Sequence, residues 1–153
     1  MNKNIEILLA EDNEDEIILI EEALEDAYIK NVTLNYVKNG IETMKYLKQN
    51  VPYEDKQRPD LLLLDLNMPQ MNGHEVLEQI KNNASLKTLP VIVLSNSQNE
   101  NDIEKSYENH ANCYITKPSD YNAFKEVLKL IEEHWLRTAK LPKNKLLNSK
   151  SLR

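Results

Sequence analysis

The sequence predicts a doubly wound α/β domain, a parallel five-stranded sheet with helices on both faces. Three observations predict it. Five short β-prone runs alternate strictly with five segments of helical periodicity. The runs Leu61–Leu64 and Val91–Leu94 are apolar throughout, as strands covered on both faces are. Four of the five runs end on or beside a residue able to do chemistry, where sites form in such sheets.

The elements follow in order. Ile5–Ala10 is the first strand and ends in Glu11-Asp12-Asn13. Glu14 to about Tyr28 reads as a helix, acidic in its first turn as the helix dipole prefers. Val32–Val37 is β-branched and alternating; Asn39-Gly40 breaks it, and Ile41, Met44 and Leu47 recur at helical spacing. Asn50–Pro59 is a polar loop. Leu61–Leu64 closes on Asp65, and the loop Asn67–Gly73 leads to a helix carrying Val76, Leu77 and Ile80. Pro90 opens the strand Val91–Leu94, which closes on Ser95. After polar Asn96–Asn101, a helix runs to about Asn109-His110. Cys113–Thr116 is the last strand. The final helix, about Ser119 to Trp135, carries Phe124, Val127, Leu128, Ile131 and Trp135 on one stripe.

Composition narrows the class. A chain of 153 residues fits one domain able to bury a core without metal or disulfide staples. Only Gly40 and Gly73 are glycine, which excludes glycine-rich phosphate loops, while 19 asparagines can stand in where φ must be positive. Residues 1–136 hold 25 acids and 13 bases, net −12, whereas residues 137–153 carry six bases and no acid. An acidic body argues against nucleic acid as a partner. The basic end reads as a separate, partly disordered extension that is solvated or docks on an acidic surface. Cys113 is alone, so no intrachain disulfide forms. Without a leader or a long apolar span, the chain reads as cytoplasmic, with no membrane association.

The strand ends gather Glu11, Asp12, Asp65, Ser95 and Lys117 into one crevice. Two carboxylates ~4 Å apart repel by ~4 kcal/mol at an effective dielectric of about 20, so three ask for a cation. Hard oxygen ligands suit Mg²⁺. A carboxylate held beside a cation and a lysine is placed to attack phosphorus, with Lys117 and Ser95 to balance the oxygens. Glu11-Asp12 alone could simply start a helix, Ser95 cap a strand end, and Lys117 sit at the surface. Asp65 after four leucines is harder to dismiss. Calcium loops fail because Gln70 and Ile17 occupy the required glycine positions, and His110 and His134 lack a second histidine at zinc spacing.

Glu11-Asp12, the run from Leu63-Leu64-Asp65 to Gly73, and Tyr114-Ile115-Thr116-Lys117-Pro118 resemble the receiver domain of two-component response regulators. The spacings, 30 residues from Asp65 to Ser95 and 22 from Ser95 to Lys117, fit that family, over about residues 4–136. Ser106–Lys117 and Trp135–Pro142 further resemble single-domain regulators paired with cyanobacterial-type phytochrome histidine kinases. The resemblance implies a flavodoxin-like receiver fold with strand order 2-1-3-4-5, over residues 1–136.

The resemblance also implies roles. Asp65 accepts a phosphoryl group from a sensor histidine kinase. Asp12, Asp65 and the Asn67 backbone carbonyl hold Mg²⁺, with Glu11 acting through water. Ser95 and Lys117 bind the phosphoryl group, Tyr114 follows Ser95 as a switch, and Asn67 and Ser97 tune its hydrolysis. The Lys117–Pro118 bond is a candidate cis peptide. The chain would not be an enzyme beyond its own phosphorylation and slow dephosphorylation. It would signal through protein contacts, as a homodimer using the fourth helix, last strand, last helix and residues 137–147. Three departures stand out: Asn96 and His110 replace small residues, and the Val51–Pro59 loop lengthens the Asp12–Asp65 spacing to 53. Competing readings are a shuttle to a histidine phosphotransfer protein and a phosphorylation-independent binding module. An aspartyl phosphatase would need an acid where Asn67 stands.

Overall fold

A computed structural model describes residues 4–26 and 30–142. Strands β1 (Ile5–Ala10), β2 (Val32–Val37), β3 (Leu61–Leu64), β4 (Val91–Ser95) and β5 (Cys113–Thr116) form one parallel sheet in the order β2-β1-β3-β4-β5. Between and after them lie helices α1 (Glu14–Asp26), α2 (Gly40–Leu47), α3 (Gly73–Lys81), α4 (Glu100–Glu108) and α5 (Tyr121–Ile131). The predicted fold class and strand order are those observed. The predicted end of α1 near Tyr28 lies outside the described residues, as do residues 143–153 of the basic extension.

Strand parity splits the core in two. Leu8, Ala10, Leu62, Leu64, Val91 and Val93 face α2 and α3, while Ile7, Leu9, Leu61, Leu63, Ile92 and Leu94 face α1 and α5. Successive side chains of a strand point to opposite faces, so an unbroken apolar run serves both cores at once. The α4 edge is packed far more lightly: Ser106 is the only buried residue of α4, and all four residues of β5 are half-buried.

Helix starts are set by asparagine and aspartate. Asn39, Asn72, Asn99 and Asp120 cap α2, α3, α4 and α5, each side chain accepting a bond from a first-turn N–H. The last helix departs from expectation. After Ile131 the chain winds as a π-helix over Glu132–Thr138. The longer i→i+5 period keeps both Trp135 and Leu136 against the α1–α5 core, which a continuing α-helical stripe would have reserved for Trp135.

Neither glycine has a positive φ. Both instead permit a close approach: a Cβ on Gly40 would lie 2.1 Å from the Met71 carbonyl oxygen, and one on Gly73 2.5 Å from that of Asp65. Positive φ falls on Asn31, Gln49, Gln70, Met71 and His110. His110, which replaces a small residue, takes a left-handed conformation with φ 68°, and asparagine substitutes for glycine at only one of these five positions.

Candidate functional site

Register brings the strand ends together. Ala10 pairs with Leu64, and the N–H of Asp65 donates to the Ala10 carbonyl at 3.0 Å, so Glu11 and Asp65 leave the sheet side by side. The N–H of Lys117 donates to the Ser95 carbonyl at 2.8 Å, fixing the end of β5 against β4. Carboxylate oxygens of Glu11, Asp12 and Asp65 lie within 4.8 Å of one another. Glu11 and Asp65 are buried, and Asp12 is exposed at the mouth.

The Lys117 ammonium is the cation of this cluster. It donates to Glu11 Oε1 at 2.5 Å and to Glu16 Oε2, and lies 3.6 Å from Asp65 Oδ1. Glu16 is a functional-site residue that sequence reasoning missed. It stood four positions after Asp12 in what looked like an ordinary acidic first turn.

Electrostatics follow from burial and crowding. Burial, the hydrogen bond shared with Glu16 and the charge of Asp65 push the Glu11 carboxyl up to about 8, against the pull of Lys117. Burial also raises Asp65, opposed by Lys117 and by the backbone N–H of Asn67, which bonds the Asp65 carboxylate. Burial disfavours charge on Lys117 too, but its bonds to Glu11 and Glu16 outweigh that and raise it. Glu16 is likewise opposed by burial, yet its bonds with Glu11 and Lys117 hold it below the usual carboxylate range. A buried carboxyl driven this far from ionisation, beside two further carboxylates, is a donor set short of positive charge. A hard divalent cation fits it.

The shifted group makes stability pH-dependent. Unfolded, Glu11 titrates near 4.5; folded, near 8. The folded state keeps a proton that the unfolded state sheds, so this contribution is complete below pH 4.5 and is lost as pH rises through about 8. Without divalent cations, the Tm contributed by this group is expected to fall between pH 5 and 9. Glu11→Gln should flatten the slope and Mg²⁺ should reverse it, both read by thermal unfolding.

A second group lies beside the crevice, centred on Ser97. Its N–H donates to Ser95 Oγ at 3.2 Å, its carbonyl accepts from the Tyr114 hydroxyl at 2.8 Å, and its Oγ donates to Asp102 Oδ2 at 2.6 Å. Ser95 is fully buried and Tyr114 half-buried against the α2–α3 core. His74 meets Asp102 at 3.0 Å and ties the first turn of α3 to that of α4.

One expected feature is corrected. The Lys117–Pro118 peptide is trans; among the described residues only Val51–Pro52 is cis. A trans X–Pro bond is the ordinary state, favoured by about 0.5–1 kcal/mol, and the bonds placing Lys117 are all made with it. Asn96, where a small residue was expected, turns its side chain to Glu16.

Comparison with known proteins agrees with this geometry. The response regulator receiver domain family matches residues 7–129. Response regulator Rcp1 of Synechocystis sp. is 43% identical over 136 residues, covering 89% of this chain and 92% of that protein. The crystal structure of the phosphorylated cyanobacterial phytochrome response regulator RcpA superposes with TM-score 0.87 at 48% identity, covering 92% of this chain and 99% of that one. The Mn²⁺-bound form of Rcp1 gives TM-score 0.85 at 42% identity, covering 91% and 99%. With five parallel strands in this order and the family matched over residues 7–129, the chain belongs to the response regulator receiver domain family.

Proposed function

We propose that the chain is a phosphorylation switch in which Asp65 takes a phosphoryl group from the phosphohistidine of a sensor kinase. The observation that carries this is the buried Asp65 carboxylate, with Lys117 3.6 Å away and Glu11 and Asp12 within 4.8 Å. An Asp65 oxygen forms the new O–P bond as the N–P bond breaks, and the imidazole leaves with the electron pair. Asp12, Asp65 and the Asn67 carbonyl, with Glu11 through water, would hold Mg²⁺, which neutralises the charge gathering between phosphoryl donor and acceptor. Lys117 supplies a fixed positive charge to the phosphoryl oxygens. Ser95 turns its hydroxyl from the Ser97 N–H to the phosphoryl group, and Tyr114, bonded to the Ser97 carbonyl, responds to that movement. Asn67 and Ser97 flank the adduct and tune its lifetime.

The likeness to Rcp1 and RcpA supports a phytochrome-type kinase as partner. Output runs through α4, β5 and α5, where a homodimer forms with help from residues 137–147, in the cytoplasm. The basic segment 137–153 is then an extension of a receiver body spanning residues 1–136. No helix among the described residues is long and apolar enough to cross a membrane.

The test is chemical. Incubation with acetyl phosphate and Mg²⁺ is expected to add one phosphoryl group. Hydroxylamine should remove it, as it cleaves acyl phosphates, and borohydride reduction followed by peptide mapping should place it at Asp65. No adduct, a hydroxylamine-resistant one, or one at another residue overturns the reading.

A further inference from the structure

Three helices of this fold, α1, α2 and α3, begin with the same pattern, asparagine followed three residues later by glutamate, and use it differently. At α2 the Glu42 N–H donates to Asn39 Oδ1 at 2.8 Å while the Glu42 carboxylate accepts from the Tyr53 hydroxyl at 2.6 Å. At α3 the pattern closes a capping box: the Glu75 N–H donates to Asn72 Oδ1 at 3.0 Å, and the Asn72 N–H to Glu75 Oε1 at 3.1 Å. At α1 only half of the box forms. The Glu16 N–H donates to Asn13 Oδ1 at 3.2 Å, but the Asn13 N–H goes to Glu11 Oε2 at 3.3 Å. Glu16 is thereby released from capping, and its carboxylate points across the crevice to Lys117. It is also hydrogen-bonded by the side chain of Asn96, the residue following Ser95.

Lys117 is shared by Glu11, Glu16 and Asp65, and Glu16 alone of the three stands outside the metal-competent set of Glu11, Asp12 and Asp65. A cation bound there gives Glu11 and Asp65 a new partner and leaves Glu16 as the one that Lys117 keeps. We propose that Glu16 is a positioning residue for Lys117: it holds the ammonium beside Asp65 at rest and competes for it with an incoming phosphoryl group. The assignment rests on the receiver reading above.

Two affinities test it, for Mg²⁺ alone by calorimetry and for beryllofluoride, a phosphoryl mimic, at saturating Mg²⁺ by ¹⁹F NMR. In Glu16→Gln the released Lys117 competes with the cation and welcomes the anion. Mg²⁺ should bind about fivefold more weakly and beryllofluoride about fivefold more tightly. Glu75→Gln, which breaks the true capping box, should lower Tm and move neither affinity. In a Lys117→Gln background the Mg²⁺ penalty of Glu16→Gln should shrink to within about twofold, because the effect runs through the lysine. Unchanged affinities in Glu16→Gln, shifts in the same direction, or a penalty that persists without Lys117 overturns the assignment alone. A wild-type protein that binds neither probe, or binds beryllofluoride as well after Asp65→Asn, overturns the receiver reading and the assignment with it.

Discussion

Asp65→Asn should abolish the phosphoryl adduct outright while making the cation-free protein more stable. The amide keeps the size of the side chain but cannot act as a carboxylate nucleophile, so mass spectrometry after acetyl phosphate treatment should show unmodified protein. The stability gain follows from burial, which already raises the Asp65 carboxyl despite Lys117 3.6 Å away. An amide avoids that penalty, and Lys117 retains Glu11 and Glu16. A gain of about 1 kcal/mol in chemical denaturation without Mg²⁺ is expected, as is common when a strained functional site is relieved. Equal or lower stability would mean that Asp65 is held more favourably than its burial implies.

Gly40→Ala should be the most damaging small substitution. Its Cβ would lie 2.1 Å from the Met71 carbonyl oxygen and 2.7 Å from the Met71 Cβ. Neither neighbour is the far end of a flexible chain, and Met71 already sits at φ 104°. Either α2 moves off the sheet or the loop following β3 moves off α2. A loss of about 3 kcal/mol is expected, lowering Tm by roughly 10 °C in thermal unfolding. The same loop carries Asn67, whose N–H bonds the Asp65 carboxylate, so the rate of phosphorylation should fall with it. A Tm within about 2 °C of the parent would show that the loop yields easily.

The residues at the strand ends were legible because their positions follow from backbone geometry alone. A parallel sheet with apolar strands places whatever follows Ala10, Leu64 and Thr116 at one edge, whichever rotamers it adopts. Glu11, Asp12, Asp65 and Lys117 could therefore be placed without coordinates. Glu16 could not, because Asn13 and Glu16 also fit a capping box, and only the direction of the Asn13 N–H decides between the two uses. The contact of His74 was hidden for a related reason. A polar residue in a first turn normally faces water, and its partner Asp102 comes from a helix 28 positions away. The sequence shows where Gly40 and Gly73 lack a side chain, not whether torsion or proximity forbids one; the structure shows proximity. The π-helical turn had no signal beyond two adjacent apolar residues, Trp135 and Leu136.

The light packing of α4 has a thermodynamic consequence. A two-state device works only if the energy separating its states is smaller than the differential binding that an input provides. Swinging α1 or α5 away would expose several apolar side chains each, at about 1.5–3 kcal/mol apiece, more than one phosphoryl group could offset. Swinging α4 withdraws one serine from the interior. The asymmetry of the core thus sets which helix costs least to move: the sheet is anchored where α1 and α5 cover it and lightly held where α4 does.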